Sequence, residues 1–348
     1  MRITFLIGNG FDLNLKLKTH FKDMYPSYLE KDSPSEAVRR FKDELRISAP
    51  DGYATWGDFE MSMARYAKNC LNEQEWLLCI RDFKRHMVEH LNAEQEEFDQ
   101  TMSNIPSERL MKVAGRAMGE YLDGFCNGLT PNATRLIKKH KKQDYAFIVF
   151  NYTSVFDFLL TQRARYLKIF SELDNMIHIH GTLTNNDIAL GVNDLMQIDG
   201  APFELSDIAK RAFLKPTFNK QYDEARVIKA QEMIASSDVI CIFGMALGES
   251  DEMWREALEA WLLFSPDNQL VYYMYDDIDR SKWTIDEIMD NEDKMRKIVL
   301  SKIFDNEAVK QKVSQQVHVP IKHTMFDFEA LLNPNSRKVI ENKLPIGI

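Results

Sequence analysis

The sequence predicts an α/β protein built on a parallel sheet, and three observations carry that expectation. Apolar runs stand at residues 2–7, 145–150, 176–179, 239–243 and 269–275. Most are continuous rather than alternating, as strands buried on both faces are. Helix-length segments separate them, which suits crossover connections between parallel neighbours. Four of the runs also end in glycine or polar residues: Gly8-Asn9-Gly10, Asn151-Tyr152-Thr153, His180-Gly181 and Gly244. The carboxyl ends of parallel strands are where open α/β sheets bind ligands.

The elements are unevenly spaced. From about residue 19 to 142 there is almost no strand signal, and 72–100 is rich in Glu, Gln, Leu, Lys and Met without Gly or Pro. Ser107-Glu108-Arg109 and Thr130-Pro131 read as further helix starts. We therefore expect residues 1–18 and 143–348 to form the sheet domain, with 19–142 a helical insertion. An insertion of that length exceeds an ordinary βα connection and suits a lid, a subunit interface or a specificity module. Downstream, 285–303 reads as a helix. Residues 316–324 read as a late edge strand, because Pro320 removes one ladder donor.

Composition narrows the function classes. A chain of 348 residues builds a core without disulfide staples. The formal charge of −9 argues against a chain-wide grip on nucleic acid. The four cysteines, Cys70, Cys79, Cys126 and Cys241, lack CxxC spacing, so no zinc ribbon is expected. No apolar stretch reaches the ~18 residues of a membrane span, and the run ITFLI ends in glycine as part of the fold. A reducing, cytoplasmic location is the expectation.

Five motifs bear on chemistry. In IGNGFD, a strand ending in Gly8-Asn9-Gly10 lets backbone N–H groups approach a phosphate, or else is a tight turn. Leu13 stands where the dinucleotide fingerprint needs a small residue. Asp12 is out of place in a plain phosphate cradle unless it binds hydroxyls or does acid–base work, the alternative being a helix cap. In WGDFE, Asp58 and Glu60 are two apart and share no helix face, so a capped helix anchored by Trp56 and Phe59 is the favoured reading. In FNYTS, Asn151 and Thr153 can bind ribose or water and Tyr152 can cap a pocket, while Thr153 or Ser154 can also cap a helix. In HIHG, His178 and His180 share a face. His178 reads as structural and His180 as a base near neutral pH. Two histidines do not make a metal site, and no metal is expected. In FGMALGESD, Gly244 and Gly248 permit close backbone approach, with Ser250 and Asp251 capping a helix from about Glu252.

In order, IGNGFD, WGDFE, FNYTSVFD, HIHG and FGMALGESD resemble the AbiH family of bacteriophage abortive-infection proteins. The first and last three also resemble, more distantly, the sirtuin-like group in its bacterial defence form. The resemblance implies a Rossmann-like, sirtuin-type NAD-binding fold with a large helical insertion after the first strand. It implies that Gly8, Asn9, Gly10, Phe11 and Asp12 line the phosphate and ribose region, and that Asn151 lies near the nicotinamide ribose. His180 would activate a ribose hydroxyl, with Gly244, Met245, Gly248 and Asp251 on the adenosine half. Thr153 stands where an Asp is often found, Met245 and Ala246 replace hydroxyl-bearing residues, and the missing zinc ribbon argues against protein deacylation.

The resulting expectation is an antiphage effector that binds NAD or a related nucleotide and hydrolyses its nicotinamide–ribose bond. His180, Asn151 and Asp12 are its candidate catalytic residues, with Tyr152 and Thr153 beside the ligand. Expected partners are the nucleotide and a second copy of the chain through the insertion, without membrane or nucleic acid. Two rival readings stand: a non-catalytic nucleotide sensor acting through a partner, and a nuclease gathering Asp12, Asp58, Glu60 and His180 around a metal.

Overall fold

The structure, a computed structural model, describes residues 1–49, 56–117, 143–248, 251–274, 282–320 and 325–332. Six parallel strands form one sheet: β1 (Arg2–Ile7), β2 (Asp144–Val149), β3 (Met176–His178), β4 (Val239–Phe243), β5 (Gln269–Tyr273) and β6 (Val317–His318). Their spatial order is β3-β2-β1-β4-β5-β6, so the chain winds outward from β1 in one direction, returns, and winds outward in the other. This is the doubly wound, Rossmann-like order, and the reversal falls between β1 and β4. There Ile3 lies opposite Val239 and Ile7 opposite Phe243.

The continuous apolar runs are explained by burial on both faces. Ile3, Phe5 and Ile7 of β1 join one core with Phe147, Cys241, Val271 and the helix Val155–Leu167. Leu6 faces the opposite core with Ile148, Ile242, Leu270 and the helices Glu224–Ala235, Glu252–Phe264 and Ile285–Ile303. Alternate residues thus fill different cores, and both cores exclude water.

Between β1 and β2 come α1 (Gly10–Asn14), α2 (Phe21–Glu30), α3 (Glu36–Ser48), α4 (Trp56–Tyr66), α5 (Glu73–Ser103) and α6 (Ser107–Ala117). Among the described residues of that stretch there is no strand. At 31 residues α5 runs about 46 Å and joins two cores. Its first half, with Trp76, Ile80, Phe83 and Met87, packs with α2–α4 and with residues between 188 and 214. Phe98 and Met102, near its end, join Leu110 and Val113 of α6 in the core beneath the sheet.

Helix Ile285–Ile303 stands where its sequence predicts it. The late strand is shorter than expected, with β6 limited to Val317–His318 at the sheet edge; residues 321–324 lie outside the described residues. Cys126 and the helix start at Thr130-Pro131 lie outside them too. Cys70, Cys79 and Cys241 are buried free thiols. Among the described residues no helix is long and apolar enough to cross a membrane.

Candidate functional site

The glycine turns after β1 and β4 meet at the strand-order reversal. The Gly8 N–H donates to the Phe243 carbonyl at 2.9 Å and the Gly10 N–H to the Gly244 carbonyl at 2.9 Å. A Cβ on Gly10 would stand 2.5 Å from the Gly244 Cα, and one on Gly8 2.5 Å from the Gly244 oxygen. Gly244 itself has φ of 69°, in the left-handed region. These glycines are thus required by each other's backbone. Both amides already donate to protein carbonyls, so neither N–H points unpartnered at a ligand. Gly248 differs from them in having open space beside it: a Cβ there meets nothing within 4 Å.

Asp251 is the N-cap residue of helix Glu252–Phe264, but its side chain makes no capping bond. Its carboxylate accepts instead from the Gly248 N–H at 3.0 Å, and burial raises its pKa. Ser250 lies outside the described residues.

Asp12 is 1% exposed in the first turn of α1. Its Oδ1 accepts from Asn151 Nδ2 at 2.8 Å and its Oδ2 from the Thr153 hydroxyl at 2.6 Å. Burial pushes its pKa up to about 6, against the two hydrogen bonds and the charge of His178. Asp12 is therefore no helix cap. Thr153 is no cap either, since its hydroxyl belongs to Asp12. Ser154 holds the N-cap position of Val155–Leu167 without a side-chain bond, and its N–H donates to Gln95 of α5. With its amide nitrogen fixed by Asp12, Asn151 leaves its buried Oδ1 without a hydrogen-bond partner.

The two histidines diverge. His178 faces the Asn151 carbonyl from Nδ1 at 3.1 Å and the Asp157 carboxylate from Nε2 at 2.9 Å. Both partners only accept, so both nitrogens must donate, which is the imidazolium form. Burial works against that charge, but Asp157 and the Asn151 carbonyl outweigh it and raise the His178 pKa. His180 is driven the other way. Burial, and then the Lys215 ammonium, hold its pKa well below the usual range, leaving a neutral ring between Phe150 and Tyr152.

These groups open onto one cavity of about 1280 Å³. That exceeds the roughly 300–1,000 Å³ of drug-sized pockets and leaves room for a ligand as long as a dinucleotide. Of the residues expected at the site, Gly8, Asn9, Gly10, Asp12, Asn151, Tyr152, Thr153, His180, Gly244, Met245, Gly248 and Asp251 all line it. Phe11 does not. It is fully buried beneath the sheet, edge-on to Phe156 and Phe326. Asn9 also pins the chain beyond α1 by exchanging hydrogen bonds with Thr19.

The wall opposite the sheet was not foreseen from sequence. Glu60 of α4 is 2% exposed; its Oε2 accepts from Lys215 Nζ at 2.7 Å and its Oε1 from the Gly191 N–H at 2.9 Å. Burial raises the Glu60 pKa, and Lys215 opposes the shift. The pair ties the inserted helices to the segment joining β3 and β4. Lys215 had one legible signal. It opens helix Lys215–Tyr222, where a cation has the wrong sign for the helix dipole.

A parallel sheet in this order, with a large cavity at its reversal, defines a doubly wound, Rossmann-like α/β protein. The family model described as bacteriophage abortive infection AbiH matches residues 4–273, so the chain belongs to the AbiH family, which indicates an antiphage abortive-infection role. No curated protein matches the sequence.

Proposed function

We propose that this AbiH protein binds NAD or a related nucleotide in the cavity and hydrolyses its nicotinamide–ribose bond during the abortive response. The observation that carries the proposal is the cluster of Asp12, Asn151 and Thr153, which lines one cavity together with a neutral His180. Asn151 lines the cavity and its buried Oδ1 has no donor within the protein, a place that a ribose hydroxyl or the attacking water would fill on reaching it. NAD thus fits the residues present on two counts, cavity size and an unsatisfied acceptor on a residue of its wall.

Cleavage breaks the bond between ribose C1′ and the nicotinamide nitrogen, and the electron pair leaves with nicotinamide. Water adds to C1′, giving ADP-ribose and releasing one proton. The transition state gathers positive charge on the ribose, which the Asp12 carboxylate, ionised above about pH 6, would stabilise from a site of low dielectric. The neutral His180 ring accepts a hydrogen bond from the ribose or takes the water's proton. The sirtuin-type character of the site belongs to this proposal. So does closure or self-association through the inserted helices, which would keep the activity silent before infection.

The test incubates purified wild type, His180→Ala and Asp12→Asn with NAD and measures free nicotinamide, with cellular NAD followed after phage challenge. Wild-type release that both substitutions abolish supports the reading. Intact NAD in both settings sinks the hydrolase half.

One observation favours a binding-only sensor: Met245 and Ala246 line the cavity without hydroxyls. Tight ADP-ribose binding with no turnover, unchanged by His180→Ala, would favour it. The metal nuclease reading loses ground. Among the described residues no three His, Cys, Asp or Glu form a metal-holding group, and Glu60 is committed to Lys215.

A further inference from the structure

A nucleotide brings negative charge into the cavity, and something must receive it. The usual receivers in this fold class are the amides of the first glycine turn. Here those of Gly8 and Gly10 donate to Phe243 and Gly244, and the second turn packs where a phosphate would otherwise approach. With those two amides taken, charged side chains of the cavity wall are the groups to consider.

Four lysine and arginine side chains line the cavity: Lys16, Arg65, Lys215 and Lys302. Two already have partners. Lys215 is buried against Glu60 at 2.7 Å, and Lys302 donates to the Ala246 carbonyl at 2.6 Å. Arg65 and Lys16 are exposed and form no ion pair with any described residue. A guanidinium is suited to phosphate because its forked N–H groups match two oxygens at once.

Arg65 is also aimed by its helix. Phe59, Met63 and Tyr66 of α4 face the helical core. Gly57, Met61 and Arg65, spaced by one turn each, face the cavity with Asp58 and Ser62. The helix is amphipathic, but its polar side lines a pocket. Lys16 reaches the same cavity from the turn after α1, with a φ of 68° that lysine rarely adopts.

We propose that Arg65 and Lys16 are the phosphate-binding residues of this site, so that inserted helix and sheet-side turn each hold one flank of an anionic nucleotide. The proposal rests on the nucleotide reading above and deepens it. It also gives the WGDFE helix a role beyond a capped core helix, as the carrier of the phosphate clamp.

The experiment measures binding of ADP-ribose, adenosine and inorganic pyrophosphate by calorimetry to wild type, Arg65→Gln, Lys16→Gln and the double variant. Both positions are exposed, and unchanged melting temperatures check the fold. Each single substitution should weaken ADP-ribose about tenfold and the double about a hundredfold, with adenosine unaffected. Wild-type affinity for ADP-ribose in the double variant overturns the proposal, as does an equal loss for adenosine. If wild type ignores ADP-ribose but binds pyrophosphate through these two residues, the nucleotide reading falls and the clamp stands. If wild type binds neither, the clamp falls.

Discussion

Two buried carboxylates face one cavity and are held in opposite ways. Glu60, on the inserted helices, receives the Lys215 ammonium and a backbone amide. Asp12, below the sheet ends, receives only a side-chain amide and a hydroxyl. Burial raises both pKa values, but a full positive charge in hydrogen-bond contact opposes it only at Glu60. A carboxylate paired within the protein has little left to offer a ligand. One kept ionised without a cation in hydrogen-bond contact holds an electrostatic cost that a ligand gathering positive charge relieves. The contrast separates a strut between two walls from the carboxylate that the proposed reaction would use.

The largest effect should come from breaking the strut. Lys215→Met leaves the Glu60 carboxylate buried without its cation, and loss of one partner of a buried pair costs about 3–5 kcal/mol. Chemical denaturation should show that loss in the single variant and recover most of it in Glu60→Gln/Lys215→Met, where a neutral pair fills the same space. A single variant no less stable than the double would mean that Lys215 does not hold Glu60.

Asp12 should respond with the opposite sign. Its folded pKa of about 6 stands above the unfolded value of 3.8, so between those values the native state holds more protons than the unfolded one. Stability therefore falls as pH rises through that window, by roughly 3 kcal/mol in all at about 1.4 kcal/mol per unit. Asp12→Asn removes the cost: it should be more stable than wild type at pH 7 and close to wild type below pH 4, while losing nicotinamide release. Melting temperatures across pH 4–7 check this, and an Asp12→Asn variant less stable than wild type at pH 7 refutes it.

Asp12 was legible as an anomaly in the sequence, because an acid beside a glycine turn serves no plain phosphate cradle. Its partners were legible as strand ends, since Asn151 and Thr153 follow an unbroken apolar run. What the sequence hid was pairing across distance. Nothing near Gly8 indicates that Gly244, 236 residues away, occupies the space beside it. Local pattern likewise does not say which strand neighbours which, and β1 proved central between β2 and β4. Asp58 and Glu60, two apart on α4, both line the cavity, Asp58 exposed and Glu60 buried. That Glu60 would meet a buried lysine depended on a helix about 150 residues further on, whose own first residue was the clue.

A third carboxylate grades the comparison. Asp157 pairs with His178 at 2.9 Å but remains 32% exposed, so solvent screens the pair and its effect should be the smallest of the three. The sharper measurement is spectroscopic, because His178 and His180 lie two residues apart in opposite surroundings. His178 gains a carboxylate and a carbonyl, so its raised pKa contributes stability that is present below the unfolded value and lost as pH rises through the folded one. His180 gains burial and a nearby ammonium, so it stays neutral until the pH falls well below the usual range. An NMR titration of the ring protons should find one histidine above the ordinary value of about 6.5 and one below it. Asp157→Asn should lower only the first, and Glu60→Gln/Lys215→Met should raise only the second. If both rings titrate together near the ordinary value, neither environment acts as the geometry requires, and His180 loses its claim to be the neutral acceptor of the proposed reaction.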